Sequence, residues 1–321
     1  MHRMKSVLLV VALFLSMACS RALAWNSIGH MTVACSAYQH LTPAEQARVT
    51  ALLKLNPFYS KWLGFIPAGA SEADRDMYVF MMAATWPDEI KAMGTGYVGN
   101  DNPPKGELPT LNTGYTDKNM HKYWHFINTP FSNDGTALPA FKGPNTADKI
   151  ALFRKALATN EEDVLKSYDL VWLEHLVGDI HQPLHCSDRI NAAKPRGDNG
   201  GNAVLVSGSA KELHAYWDQQ LGLGDTKDFM KAVKAAQALP PPDASLVGDS
   251  KEDDWAAESF ALAKSTVYKD PIGPALGPYT PTPAYAAKAK NIAQARVSLA
   301  GARLANLLKT SLNCGKQTCA N

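Results

Sequence analysis

The stretch Glu174-His175-Leu176-Val177-Gly178-Asp179-Ile180-His181-Gln182-Pro183-Leu184-His185 decides how this chain reads. It closes a helical pattern that begins near Glu161 and runs to Ile180. His175 and Asp179 are four residues apart, so on a helix both project from one face. Pro183 has no N–H to continue the ladder; it ends the helix and turns the chain, which can bring His185 back towards that face. A second His and carboxylate with the same spacing follow at His214 and Asp218, inside His214-Ala215-Tyr216-Trp217-Asp218. Imidazole and carboxylate are the usual zinc ligands when thiolates are absent. One such pair also serves as a surface salt bridge. Two pairs in apolar helices, with a further His past a helix end, exceed the needs of one mononuclear site.

The same helical periodicity extends in both directions. Thr42-Pro43-Ala44-Glu45 is a capping box with proline at the first helical position, opening an amphipathic run to about Lys54. Further helices are expected over about Ala73–Met93, Ala147–Ala158, Glu212–Leu221, Asp253–Tyr268 and Ala284–Leu312. Asn202–Ser207 alone reads as a strand. The expectation is an all-α chain with at most a short β-hairpin. Four stretches rich in Gly, Pro and Asn separate the helices, at 94–117, 187–201, 239–250 and 270–283. The His and Asp set reaches across such stretches, so they read as walls of one domain, 25–321, with no internal repeat.

The first 24 residues differ from the rest. Arg3 and Lys5 precede an apolar run from Val7 to Met17, and Ala22-Leu23-Ala24 has the small-x-small form of a cleavage site. That is the pattern of a secretory signal peptide, so export to a periplasm or the medium is expected, without membrane insertion. The full chain has 32 basic and 30 acidic residues; removal of Arg3, Lys5 and Arg21 leaves 29 basic ones and a formal net charge of −1. A protein that grips nucleic acid through phosphate contacts alone is usually strongly basic. Affinity for phosphate here needs another source of positive charge, and bound metal would supply it. Cys35, Cys186, Cys314 and Cys319 remain, an even number that suggests disulfides in an exported protein. The short Cys314–Cys319 separation permits a loop in the tail, which pairs Cys35 with Cys186 by elimination.

Cleavage after Ala24 would leave Trp25-Asn26-Ser27-Ile28-Gly29-His30 as the new start. A free α-amino group and its own carbonyl oxygen can chelate a metal in a five-membered ring, and the amine's pKa near 8 lets it lose its proton under a divalent cation. With these residues the pattern becomes specific. Trp25…Gly29-His30, Trp86-Pro87-Asp88, Trp124-His125-Phe126, His175…Gly178-Asp179…Gln182-Pro183-Leu184-His185, Gly200-Gly201-Asn202 and Leu213-His214…Trp217-Asp218 together resemble, in order, the S1/P1 family of zinc-dependent single-strand-specific nucleases. The matched elements cover 25–218.

The resemblance implies the all-α fold shared by zinc phospholipase C and P1 nuclease, and three zinc ions. One would be held by the Trp25 amine and carbonyl with His30, a second by Asp88, His125 and His175, with Asp179 bridging the two. The third would take His185, His214 and Asp218. The implied reaction is attack of a zinc-bridging hydroxide on the phosphorus of single-stranded DNA, RNA or a 3′-nucleotide, giving 5′-phosphorylated products from the polymers. Asp88 would accept a hydrogen bond from the attacking water. Lys91, one helical turn on, would neutralise phosphate charge. Phe126 would stack an unpaired base, Asn128 would meet its edge, and Asn202 would contact the nucleotide beside two glycines. His40, His121 and His181 fall outside the pattern and read as ordinary. A monomer is expected. The alternative of the same fold is a zinc phospholipase C, whose last ligand pair is His with Glu where this chain has His214 and Asp218. A metal-stabilised module without activity is the other; structural sites close with four protein ligands, whereas three protein groups leave a position open.

Overall fold

A computed structural model describes residues 25–92, 94–99, 102–140, 144–223 and 227–312. The stretch 161–180 forms helix Asp163–Asp179, and Ser167 to Asp179 is buried on every side. A helix that is mostly apolar all round belongs at the centre of a bundle. In chain order the α-helices among the described residues are α1 (Ser27–Gln39), α2 (Pro43–Leu53), α3 (Tyr59–Leu63), α4 (Glu72–Ala83), α5 (Trp86–Glu89), α6 (Thr146–Leu157), α7 (Asp163–Asp179), α8 (Leu213–Asp218), α9 (Phe229–Gln237), α10 (Glu252–Leu262) and α11 (Pro283–Ser311). α7 is packed by α1, α2, α5, α6 and α11. The fold is all-α, as the periodicity predicts.

Local chemistry accounts for the boundaries. Thr42 and Glu45 close the expected capping box at α2, and Asn145 with Asp148 forms another at α6. The expected helix over 73–93 is two helices, because Pro87 offers no N–H and the ladder breaks at Ala84–Thr85; Met93 lies outside the described residues. The helix expected to run on to Tyr268 stops at Leu262 and widens into a π-type turn over Ala263–Val267. The strand expected at Asn202–Ser207 does not form. Leu205 and Val206 make only isolated bridges, to Glu212 and Tyr279. The two strands present among the described residues are Pro130–Ser132 (β1) and Asp188–Ile190 (β2), paired in parallel and not as a hairpin. Both are short edges laid down where the chain approaches and leaves the centre of the molecule.

Two apolar clusters result. The larger surrounds α7 and α1 and contains Trp25, Trp62, Trp86, Trp124 and Trp172. The smaller, with Leu184, Val204, Leu213, Trp217, Tyr268 and Tyr285, backs the segment between β2 and α8. Behind the end of α7, the buried His181, Arg296 and Arg303 form a polar knot with the half-buried Glu258. Arg303 Nη1 donates to His181 Nε2 at 2.9 Å, and both arginines donate to Glu258.

The expected Cys35–Cys186 bridge is not made. Both thiols are free and buried. Gln39 Nε2 lies 3.6 Å from Cys35 Sγ within α1, and Cys186 Sγ donates to Ile180 O at 3.3 Å. Burial pushes the two thiols up to about 11 and about 12. Pairing by elimination carried no geometric content. Cys314 and Cys319, like the first 24 residues, lie outside the described residues. No described helix is long and apolar enough to cross a membrane.

Candidate metal centre

The histidines and aspartates converge as three sets from α1, α5, α7 and α8 and from two short 3-10 turns, Lys122–His125 and Pro183–Cys186. His30, His175 and Asp179 form one; Asp88, His125 and His175 a second; His185, His214 and Asp218 a third. In each set one ligand atom per residue lies within 4.8 Å of the others. Asp179 joins the first two. Its Oδ1 is 3.3 Å from His30 Nε2, while Oδ2 is 3.0 Å from His125 Nδ1 and 3.2 Å from His175 Nε2.

Backbone carbonyls aim the rings. His175 Nδ1 donates to Ala84 O at 2.8 Å, a carbonyl left without its helical partner where α4 ends before Pro87. His185 Nδ1 donates to His125 O at 2.6 Å, and Ile127 N returns a bond to His185 O at 2.7 Å. His214 Nδ1 donates to Gly200 O at 2.7 Å. Each bond fixes the tautomer that leaves Nε2 bare and facing its set. Gly200 is required for this, because its φ is +59° and a Cβ there would stand 2.5 Å from Leu184 O. His214 Nε2 and His185 Nε2 are left 3.0 Å apart.

Electrostatics reinforce the geometry. Burial, with His175 close by, lowers His30 to about 4. Burial, with Lys91 close by, takes His125 to about 3, and burial with His185 takes His214 to about 3. These imidazoles are neutral at pH 7, the form that binds metal. Burial works against ionisation of Asp88, yet Lys91 and the neighbouring histidines outweigh it and hold that carboxyl below its usual range. Burial and the charges of Asp179 and Asp88 push Asp218 up, against its bond from Gln182. Three carboxylates so close are compensated by little positive charge.

Both ring nitrogens of His30, Nε2 of His125 and Oδ1 of Asp179 are buried without a hydrogen-bond partner. Buried polar atoms are rarely left so. Of these, His30 Nε2 and Asp179 Oδ1 face each other within the first set, whereas His125 turns Nδ1 towards the aspartates; the nitrogen and oxygen atoms of the three sets fit divalent metal, and ligands other than thiolate suit zinc.

The start of α1 lies against this cluster. Trp25 is fully buried, and its indole Nε1 donates to Gly178 O at 2.9 Å, one residue before Asp179. Asn26 N donates to Asp218 O at 3.4 Å, and the Asn26 side chain caps α1 at Gly29 N. Two glycines make room. A Cβ on Gly29 would meet Trp25 Cβ at 2.6 Å, and one on Gly178 would meet His30 Nδ1 at 3.0 Å. Gly178→Ala is therefore expected to displace His30 and lower turnover about tenfold or more, since small misplacements of catalytic groups cost factors of that order. Alanine favours a helix over glycine by about 1 kcal/mol, which partly offsets the overpacking cost of about 1–3 kcal/mol, so thermal stability should be equal or modestly lower. A variant with unaltered turnover and metal content would show that His30 does not need its present place.

The remaining site candidates lie near but outside the sets. Lys91 Nζ bonds Asp88 Oδ1 at 2.7 Å and is nearly buried. Phe126 is half-buried beside His125, in extended backbone, and packs on the edge of the larger core. Asn128 is half-buried. Asn202 donates to Asn199 O at 2.7 Å, within the turn that positions Gly200. His40, His121 and His181 stay apart: His40 bonds Ser36 O, His121 stacks on Trp124 at 3.6 Å, and His181 faces Arg303. Sequence reasoning gives Gln182 no role. It is fully buried, donates to Asp218 Oδ1 at 2.7 Å and accepts from Leu184 N at 2.6 Å, tying the third set to the turn that carries His185. Its signal is an uncharged polar residue amid apolar neighbours just before a proline.

A helical bundle thus gathers histidine and aspartate into adjoining sets beside the start of its first helix, a donor arrangement suited to divalent metal. The chain belongs to the S1/P1 nuclease family, whose model matches residues 25–313. It is also 25% identical over 230 residues to Endonuclease 4 of Arabidopsis thaliana, a match covering 65% of this chain and 59% of the plant protein, less than two thirds of its length.

Proposed function

We propose that this nuclease is an exported, zinc-dependent endonuclease that hydrolyses single-stranded DNA and RNA to 5′-phosphorylated products, and 3′-nucleotides as well. The observation that carries this reading is the convergence of three His and Asp sets with orphaned buried donors. His30 and Asp179 with the Trp25 amine and carbonyl would hold one zinc. Asp88, His125 and His175 with Asp179 would hold the second, and His185, His214 and Asp218 the third. Bound zinc supplies concentrated positive charge and acidifies water.

In the reaction the oxygen of water bonds to phosphorus, the P–O3′ bond breaks, and a proton passes to the departing O3′. Asp88, kept ionised by Lys91, offers a carboxylate to the water proton. Lys91 would meet the negative phosphate oxygens as charge builds on them. Phe126 presents a ring that any unpaired base can stack on, which favours single strands with weak sequence choice. The Asn128 amide both donates and accepts towards a base edge, and the Asn202 side chain, just past two glycines packed on Leu184, would contact the nucleotide. The apolar run before Ala24 is read as a signal peptide whose removal frees the Trp25 amine, placing the enzyme in a periplasm or outside the cell, as a monomer.

The test is metal analysis and assay of one preparation of the processed protein. Near three zinc ions per chain, release of acid-soluble nucleotides from denatured DNA, loss on chelation and recovery with zinc are expected. Hydrolysis of phosphatidylcholine in place of nucleic acid would transfer the site to phospholipase chemistry. Inactivity of the zinc-replete protein on every phosphodiester would overturn the reading.

A further inference from the structure

The last part of the chain carries a charge imbalance that the site does not use. Residues 271–321 contain six lysines and arginines and no aspartate or glutamate. Two of these residues, Arg296 and Arg303, are spent on the half-buried Glu258. Lys290, by contrast, stands exposed on α11 facing α9, and between the two helices is a cavity of about 240 Å³ lined by Gln220, Lys231, Lys234, Lys290 and Gln294, with no carboxylate in its wall. Lys231 and Lys234 are one helical turn apart on α9 and so share a face. Among the described residues none of these three lysines forms an ion pair, whereas Lys61, Lys91, Lys149 and Lys227 each lie against an acid. Lys231 Nζ approaches only Leu223 O, at 3.4 Å. The carboxylate of Asp228 at the start of α9 is turned to Lys231 N and caps the helix.

The position of the cavity gives this charge a meaning. Gln220 is two residues beyond Asp218, so it stands no more than about 7 Å along the chain from the third set. The same short segment is tied to the start of α1, where Asn26 Nδ2 donates to Gly222 O at 2.7 Å. On a mature chain of net charge −1, three uncompensated ammonium groups next to the proposed phosphodiester site form a local attraction for phosphate, with the Gln294 amide to hydrogen-bond it, while Gln220 Nε2 donates to Tyr216 O at 2.7 Å.

We propose that the α9–α11 groove is a backbone subsite, which holds phosphates of the single strand that continue past the scissile bond. The inference rests on the nuclease reading above and adds where the uncut part of the substrate lies. Lysine binds phosphate as a point charge and reads no base. The groove therefore raises affinity for long strands over dinucleotides without adding sequence preference.

The test compares the zinc-replete wild type with the triple variant Lys231→Gln, Lys234→Gln, Lys290→Gln on a dinucleotide and on a single strand of about 12 nucleotides, a length within the usual range of single-strand sites. Each phosphate contact on a single strand contributes about 0.7 to the slope of log affinity against log salt, so loss of three contacts makes the slope for the long strand shallower by about 2. KM for the long strand rises at unchanged kcat, and dinucleotide turnover and zinc content stay at wild-type values. An unaltered salt slope overturns the subsite while leaving the nuclease reading standing. A parallel loss on both substrates assigns the lysines to the integrity of the fold and overturns it too. A wild type that degrades the dinucleotide and the long strand equally well at every salt concentration would remove the need for any subsite.

Discussion

Asp179→Asn is expected to lower turnover on single-stranded DNA by about 1,000-fold or more, with the protein still folded. The substitution preserves volume and replaces one carboxylate oxygen with an NH2 that only donates. At this position both oxygens are committed: Oδ1 faces His30 Nε2 at 3.3 Å, and Oδ2 faces His125 and His175 at 3.0 and 3.2 Å. It belongs to the first ligand set and its Oδ2 reaches two histidines of the second, so its loss removes negative charge beside both at once. Loss of Lewis-acid stabilisation is worth several kcal/mol, and about 4 kcal/mol corresponds to about a thousandfold in rate. Zinc content should fall by at least one ion per chain. Thermal melting of the metal-stripped forms separates chemistry from folding, since an apo variant as stable as apo wild type locates the loss in the site. Wild-type turnover with full zinc would remove Asp179 from the centre of the mechanism.

A second large effect is expected from a single methionine left before Trp25. The side chain of Trp25 is locked by Gly178 O and by the close face of Gly29, so the residue cannot retreat to make space. An amide nitrogen at that point also lacks the lone pair that an amine offers to a metal. The extended protein should lose about one zinc and about 100-fold in turnover, which matches roughly 3 kcal/mol of lost stabilisation. Mass spectrometry of the two preparations, one beginning at Trp25 and one at the added residue, fixes their termini before assay. Equal zinc content and equal rates would show that the terminal amine takes no part.

Much of this architecture can be read in the chain before its shape is known, for identifiable reasons. The i,i+4 spacing of His175 with Asp179 and of His214 with Asp218 is a helix property, and both pairs do share faces of α7 and α8. Capping at Thr42 and the stop before Pro183 are equally local. What stays hidden is whatever depends on distant backbone. The carbonyls of Ala84, His125 and Gly200 that orient three imidazoles have no side-chain signature. Pro87 is plain in the sequence, yet only the fold shows that splitting the helix there frees Ala84 O for His175. The alternation in Asn202–Ser207 suggests a strand, but those residues bury Val204 and Val206 singly against the smaller core and find no partner strand to extend along. The cysteine count misleads for a similar reason, since parity says nothing about which thiols meet.

The three carbonyl clamps come from segments far apart in the chain, at residues 84, 125 and 200, and the rings they hold come from others again. No fragment of the polypeptide contains a working half. A nascent or partly unfolded chain holds imidazoles that point anywhere and has no place to cut a phosphodiester. Under the proposed nuclease function, inactivity before assembly is then a property of the chain's topology.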